Sequence, residues 1–276
     1  GSFTSEELDG TLSFLNSEKH GDLIKLAKQR FENITIVTYV AKEVEITKAR
    51  ELTKMFCSTA VNVLKIFSPT LFSPRVRCDF DLDFLLKGDP KSEEFSIKYS
   101  KEKKPLVANL HFNRKSYELL EIDDEYLDFM KEKGMGNFHD FLCNPKGTEL
   151  CELIVKTIDL FGAALSVDNL HLRIINLFTI SEFLLLKGND IPILDSLKKY
   201  FPILISEDKN ERSEIKRILT SLYSVRSSAI HHGIYKDFQL QDLSKFQWYL
   251  FSMLKKLISL SKVYDTKDEV LEEIDD

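Results

Sequence analysis

The sequence predicts an α+β protein, with an N-terminal α/β region that holds a small antiparallel sheet and an all-α helical bundle behind it. Two observations lead to this fold class. Strand-like alternation of apolar and polar residues disappears after Gly134, and apolar residues at helical spacing continue from about 148 to 262. A proline and a glycine at 145 and 147 mark the change. We therefore expect domains at residues 1–145 and 146–262, followed by an acidic tail at 263–276.

The N-terminal region opens with Gly1-Ser2, which we interpret as a remnant of tag removal and leave out of the fold. Residues 34–40, ITIVTYV, are β-branched and aromatic, which predicts a strand. From Thr47 the apolar residues are three or four positions apart, which predicts a helix that ends before Pro69.

Two further stretches predict the sheet. Residues 75–84, RVRCDFDLDF, alternate between apolar and charged side chains, as a half-buried strand does. EFSIKY and PLVANLHF lie on either side of a lysine-rich turn at 101–104, which predicts a hairpin. The charged face of this sheet is either a basic binding surface or a solubilising rim.

Five helices are predicted after residue 145. They cover about 148–164, 170–187, a short segment from Pro192, 210–231 and 240–262. Asp168 or Asn169 is the expected N-cap of the second helix and Gly188 its end, with Asp190 as the cap of the third. The fifth helix has an apolar stripe that should pack in the core, formed by Phe246, Leu250, Leu254 and Leu257. Trp248 and Tyr249 lie off this stripe and could reach an interface.

The composition indicates a soluble globular protein without a membrane span, because no apolar run reaches the ~18 residues that a spanning helix needs. The net charge of −6 is concentrated in residues 263–276, which hold seven acids and one lysine. Residues 201–262 hold ten Lys and Arg against six Asp and Glu, a balance of +4. This balance is compatible with a polyanionic ligand, while the acidic segment itself should be a solvated, frayed tail.

Four cysteines, at 57, 78, 143 and 151, form no C-x-x-C pair and have no histidine at metal-ligand spacing. We expect reduced, mostly buried thiols, no metal site and no cofactor, and hence a cytoplasmic protein. The N-terminal region contains no glycine-rich phosphate loop, which argues against nucleotide hydrolysis.

The fourth helix contains LYSVRSSAIHHG, residues 222–233, in which an arginine interrupts an apolar face. Arg226 falls within about 40° of the centre of that face, which consists of Ile215, Ile218, Leu219, Leu222, Val225 and Ala229. A guanidinium keeps its proton, so its burial requires a carboxylate, an interface or an anionic ligand. Glu182, an acid among apolar neighbours in the second helix, is the expected partner. The pair is either structural or holds Arg226 for catalysis.

His231 lies five positions after Arg226, about 140° further round an unbroken helix, so one helix face cannot present both side chains. Either the helix unwinds near His231, which Gly233 as a C-terminal stop favours, or two copies of the chain meet. A twofold homodimer would gather two arginines and two histidines in one cleft. Arginine binds phosphate oxygens through its planar fork, and histidine exchanges protons near neutral pH.

The string LYSVRSSAIHHG, after a helix of the form LRIINLFTISEFLL, resembles the HEPN superfamily and within it the Apea-like group. The resemblance covers roughly residues 148–260, with Glu182 at the family's acidic position. The matching motif residues are Leu222, Tyr223, Arg226, Ser227, Ile230, His231 and Gly233. The resemblance implies a compact helical bundle that often dimerises. Many members are metal-independent RNases with an R-x4–6-H motif, and others are inactive and bind nucleotides or partners.

The resemblance implies cleavage of RNA by the substrate's own 2′-hydroxyl, without metal or cofactor. Arg226 and His231 would be catalytic, with His231 as general acid or base and Arg226 stabilising the phosphate. Glu182 and Ser227 would support them, although catalytic members frequently carry Asn, Asp or His where this chain has Ser227. The implied partners are RNA, a second copy of the chain and a regulatory protein. The implied role is that of an antiphage or toxin-like effector.

Two alternatives stay open. The helical part is either a non-catalytic HEPN module that binds nucleic acid or a protein partner, or an unrelated helical interaction protein in which the motif is accidental. The unrelated protein predicts that the second and fourth helices lie apart. His232 has no assigned role, and Tyr235 is expected to pack rather than to meet a nucleotide.

Overall fold

The computed structural model of the chain describes residues 45–76, 95–99, 105–110, 124–187 and 192–275. They divide into two units, Gly1–Ser58 with Asp81–Tyr117, and Thr59–Phe80 with Glu118–Asp276. Several features expected from the sequence lie outside the described residues, namely Gly1-Ser2, the strand at 34–40, most of the strand at 75–84, Cys78, the turn at 101–104, Gly188 and Asp190.

The described residues form nine α-helices, one short 3-10 helix and one pair of strands. The helices are α1 (Ile46–Ile66), α2 (Asp124–Glu132), α3 (Met135–Cys143), α4 (Glu149–Leu165), α5 (Leu170–Leu185), α6 (Ile193–Ile205), α7 (Lys209–His232), α8 (Leu240–Leu260) and α9 (Lys267–Asp275). The 3-10 helix covers Pro69–Leu71, and the strands are β1 (Phe95–Tyr99) and β2 (Pro105–Leu110).

The expected α+β fold class is wrong. The unit formed by Thr59–Phe80 and Glu118–Asp276 is all-α throughout its described part. β1 and β2 belong to the other unit, where they pair antiparallel with Phe95 opposite Leu110. One pair of strands is too small to be the sheet of an α+β domain, because a sheet of three or more strands with an apolar face is needed for stability. In the residues that the structure describes, local alternation therefore overstated the β content.

Arg75 and Val76, the described start of the expected strand at 75–84, lie in a turn instead. Thr70 fixes this turn, since its hydroxyl donates to the carbonyl of Val76 at 2.9 Å. An alternation pattern does not reveal a side-chain hydrogen bond of this kind. The pattern therefore predicts an extended strand where the structure has a turn.

Helices α4 to α8 begin and end close to the predicted positions, and two of their ends, on α5 and α7, carry the expected capping residues. Asn169 caps α5, with its side-chain oxygen accepting from the backbone N–H groups of His171 and Leu172 at 3.0 and 3.1 Å. Gly233 ends α7 at φ 65°, a left-handed conformation that favours glycine. Because α7 remains helical through His232, the predicted unwinding near His231 does not occur.

The all-α unit has one apolar core, to which helices α1 to α9 all contribute side chains. The predicted stripe of α8 is confirmed, because Phe246, Leu250, Leu254 and Leu257 are all buried. Tyr249 is buried as well, and Trp248 packs on Phe72 with ring centroids 5.4 Å apart. The expectation that these two residues reach an interface is therefore wrong for Tyr249, and Trp248 is partly covered by the same unit.

Helix α5 is the central helix of this unit, since it contacts α4, α6, α7, α8 and α9. Its sequence is apolar on nearly every side, as is typical of a helix with neighbours all round. Two charged side chains, Arg173 and Glu182, interrupt this apolar surface. Their position on a helix that contacts five others makes both of them costly without partners.

The acidic segment expected to be a frayed tail instead contains α9, whose Val270 and Leu271 are buried in the core. The Asp275 carboxylate forms ion pairs with the ammonium groups of Lys199 and Lys187, at 2.6 and 2.9 Å. Hydrogen bonds from these two lysines lower the pKa of Asp275 to about 2. Among the described helices, none combines the length and the apolar character that crossing a bilayer requires.

Candidate functional site

Arg226 and Glu182 form an ion pair between α7 and α5, with Nη2 and Oε1 2.8 Å apart. The two side chains are 13% and 16% exposed, so the pair is largely removed from water. The expected pairing is thereby confirmed, although it does not test what either residue does. Because α5 and α7 are packed neighbours, the prediction attached to an accidental motif, that these helices lie apart, is wrong.

The hydrogen bonds of this pair are incomplete. Arg226 Nη1 donates to the hydroxyl of Tyr223 at 3.3 Å, and its Cζ lies 5.1 Å from the centre of the Tyr223 ring, a cation–π contact. The Nη2–Oε1 contact is not aligned as a hydrogen bond. Within the part of the chain that the structure describes, Arg226 Nε and Glu182 Oε1 are therefore buried without a hydrogen-bond partner. Such atoms are uncommon in proteins.

Burial raises the pKa of the Glu182 carboxyl above its ordinary value of 4.5, and the positive charge of Arg226 opposes this rise without cancelling it. The charged form of Glu182 therefore depends on Arg226. Each of the two charged groups therefore stabilises the other.

His231 and His232 lie in the last turn of α7, and both are exposed. Their ring centroids are 6.4 Å apart in an edge-to-face arrangement. The guanidinium of Arg226 reaches back to Tyr223, whereas His231 lies five residues further on, at the end of the helix. Within one chain the described contacts of Arg226 do not include His231. Ser227 is partly buried beside Arg226.

A loop, residues 233–239, follows the histidines and returns towards α5; all of its residues are exposed except Phe238, which is partly buried. His171, in the first turn of α5, donates through Nε2 to the carbonyl of Lys236 at 2.9 Å. Its ring lies between those of Tyr235 and Phe238, with centroid distances of 4.8 and 5.2 Å. Tyr235, which was expected to pack, is 60% exposed. The expectation of a packing role is therefore wrong for most of its surface.

A second buried arginine, Arg173 on α5, was missed by the sequence analysis. It is 3% exposed, and its Nε and Nη2 donate to the carbonyl of Val167 at 3.1 and 2.8 Å. Its Nη1 donates to the carbonyl of Pro74 at 2.8 Å and approaches Gln247 Oε1 at 3.4 Å. The stretch LRIINLF contains a sign of this burial. Arg173 stands among apolar residues there, as Glu182 does further along the same helix.

One further cleft, of about 370 Å³, lies where α3, α8 and the end of α6 meet. Its cationic wall consists of Lys255 and Lys256, and Glu207 stands among the other lining residues. Lys255 Nζ donates to the carbonyl of Lys133 at 2.9 Å, so part of its capacity is used within the fold. In the described residues, no group of three or more His, Cys, Asp or Glu side chains is arranged to hold a metal ion.

Comparison of the chain with protein-family models, with curated proteins and with solved structures finds no match. What the structure establishes is an all-helical unit, with nine helices in the described part of the chain, and a buried Arg226–Glu182 pair within it.

Proposed function

We propose that the all-α unit is a metal-independent endoribonuclease of HEPN type. The observation that carries the proposal is the incompletely bonded Arg226–Glu182 pair: a guanidinium fixed between two packed helices, with Nε buried and without a hydrogen-bond partner in the described residues. A buried ion pair is weak as a source of stability, because desolvation offsets most of its attraction. Its presence on the helix that ends in two exposed histidines is easier to explain by chemistry than by folding.

The proposed reaction uses the RNA itself as nucleophile. His231 removes the proton of a 2′-hydroxyl, the 2′-oxygen bonds to the adjacent phosphorus, and the bond to the 5′-oxygen breaks as the protonated His231 gives its proton to that leaving oxygen. The products are a 2′,3′-cyclic phosphate and a 5′-hydroxyl. Arg226 stabilises the charge that accumulates on the phosphate oxygens. DNA lacks the 2′-hydroxyl and should resist cleavage.

The active form in this proposal is a homodimer. In one chain Arg226 points back along α7 and His231 lies at its end, so each site takes its arginine from one copy and its histidine from the other. A twofold axis that pairs the ends of two α7 helices would build two such sites at once. The protein would act in the cytoplasm as a toxin-like or antiphage effector, with a regulatory protein as a further partner.

A non-catalytic HEPN module that binds nucleic acid or a protein partner is the second candidate. It is favoured by the low exposure of Arg226, 13%, and by the fact that Glu182 already neutralises it. Ser227 also stands where catalytic members frequently carry Asn, Asp or His. In this candidate the Arg226–Glu182 pair joins α5 to α7, and the exposed residues after α7 do the binding.

Incubation of the whole chain with single-stranded RNA in EDTA separates the two candidates. Wild type should cleave, and Arg226→Ala and His231→Ala should each lose about 100-fold or more, the usual effect of removing a proton-transfer or charge-stabilising group. His232→Ala is the matched control, being adjacent and equally exposed, and should stay within about 3-fold of wild type. Cleavage that survives both substitutions excludes this site, and no cleavage by wild type favours the binding module.

A further inference from the structure

The loop after α7 holds an aromatic side chain in an unusual state for a helical protein of this kind: exposed, yet fixed in position. Tyr235 is 60% exposed, and Ile234 beside it is 56% exposed. One side of the Tyr235 ring meets the His171 ring at 4.8 Å and an interplanar angle of 57°. An aromatic ring that is left in water without burying its area contributes little to folding.

The loop that carries Tyr235 is held at several points. His171 Nε2 donates to the carbonyl of Lys236 at 2.9 Å, and Lys236 Nζ donates to the Ser224 hydroxyl at 3.1 Å. The backbone N–H of Ile234 donates to the carbonyl of Ser228 on α7 at 3.2 Å. A ring presented on such a loop is already ordered before a ligand arrives, which lowers the entropic cost of binding.

The surroundings of Tyr235 favour a polyanion with flat, apolar parts. His231 and Lys236 supply an imidazole and an ammonium group, and Asp237 is the single carboxylate in residues 231–238. Basic groups interleaved with an exposed aromatic ring are the arrangement by which proteins bind single-stranded nucleic acid, since a base stacks on the ring while the backbone meets the donors. A base in a duplex is not accessible to such a ring.

We propose that Tyr235 is a stacking platform for an unpaired base of single-stranded RNA, adjacent to the histidines at the end of α7. This inference rests on the proposed function, because it names the form of the substrate: an RNA whose base next to the cleaved phosphate is not paired. Lys236 and His171 are positioning residues for the loop that presents the ring.

The test measures binding in the His231→Ala background, so that RNA is not consumed. Fluorescence anisotropy with a labelled 12-nucleotide single strand and with the matching RNA duplex compares Tyr235→Ala with Tyr235→Phe. Removal of the ring should weaken binding of the single strand at least about 5-fold, which is about 1 kcal/mol at 1.4 kcal/mol per tenfold change. Tyr235→Phe keeps the ring and should stay within about 2-fold, and duplex binding should not change.

Three results would overturn the inference: single-strand binding that is unchanged in Tyr235→Ala, an equal loss for strand and duplex, or no binding of the single strand by the parent. Light scattering provides a fourth. A change of oligomeric mass in Tyr235→Ala would show that the ring belongs to a protein interface.

Failure of this inference can be told apart from failure of the proposed nuclease. If wild type cleaves RNA and Tyr235→Ala cleaves with an unchanged KM, the platform is excluded and the nuclease stands. If Tyr235→Ala loses single-strand binding while wild type does not cleave, the platform stands and the protein is the nucleic-acid-binding module.

Discussion

The unit contains two largely buried arginines, and they are bonded in opposite ways. Arg173 directs its donors at the main-chain carbonyls of Val167 and Pro74 and at Gln247, and is 3% exposed. Arg226 has one carboxylate and one tyrosine hydroxyl, and leaves Nε without a partner in the described residues. The first arrangement gives every nitrogen of the guanidinium group an acceptor, whereas the second leaves one nitrogen without a partner in the described residues. Burial alone therefore does not separate the two arginines, whereas the inventory of their acceptors does.

Arg173 connects parts of the fold that are distant in sequence. Gln247, which it approaches, donates through Nε2 to the carbonyls of Thr70 and Leu71 at 2.7 and 3.0 Å. Arg173 and Gln247 together fix the segment 67–76 against α5 and α8. None of these acceptors is a carboxylate. If Arg173 is replaced, protonation of an acceptor therefore cannot compensate for the lost hydrogen bonds.

The largest expected effect is on stability. Arg173→Met leaves the carbonyls of Val167 and Pro74 without this donor, and at about 1–3 kcal/mol for each orphaned group the free energy of unfolding at pH 5 should fall by about 3 kcal/mol or more. Arg226→Met at the same pH should lower the free energy of unfolding by only about 1 kcal/mol, because Glu182 can then take up a proton and become neutral. Protonation of a carboxylate costs about 1.4 kcal/mol for each unit by which the pH exceeds its pKa.

Urea unfolding followed by circular dichroism measures both values, with Arg75→Met as the control. Arg75 is exposed, so its replacement should change the free energy of unfolding by less than about 0.5 kcal/mol. Equal losses for Arg173→Met and Arg226→Met would remove the distinction between the two arginines.

A smaller effect concerns the pH dependence of stability. The pKa of Glu182 is raised in the folded state, so the folded protein holds this proton to higher pH than the unfolded chain does. The contribution of Glu182 is therefore most favourable below its ordinary value of 4.5 and declines as the pH rises through the raised pKa. The free energy of unfolding of wild type, relative to that of Glu182→Gln, should therefore fall between pH 4 and pH 7.

Unfolding of wild type and Glu182→Gln at half-unit pH intervals measures this difference. A difference that moves in favour of wild type as the pH rises would mean that Arg226 lowers the Glu182 pKa below its ordinary value, and that the pair stabilises the fold. The incompletely bonded pair would then be a structural bridge like that of Arg173.

The helices that could be predicted are those whose apolar spacing and caps agree. Asn169 begins α5 through its side-chain cap, Gly233 ends α7 through its left-handed backbone, and the α8 stripe is buried as expected. α2 and α3 were not anticipated, and α9 was expected to be a solvated tail. Their burial depends on contacts with the rest of the unit: Met130, Phe138 and Leu271 are apolar residues in otherwise polar stretches, and a core elsewhere in the chain decides whether they pack.

The site could be predicted in part for the same reason. The pairing of Arg226 with Glu182 follows from the cost of burying either charge, which depends only on the apolar context of each residue. The Arg173 network was not predicted, because its shortest hydrogen bonds go to main-chain carbonyls, which every residue carries and no sequence pattern marks. The exposure of Tyr235 was missed because it depends on where His171 and the loop after α7 meet.

The central claim is that Arg226 and His231 act together across two copies of the chain, and co-expression of Arg226→Ala with His231→Ala tests it most directly. Each variant alone should be inactive, but a mixed dimer contains one site with both residues intact. Random pairing makes half of the dimers mixed, each with one of two sites restored, so RNA cleavage should return to about a quarter of wild type. Cleavage no higher than that of either variant alone, in a sample shown to contain mixed dimers, would contradict the account.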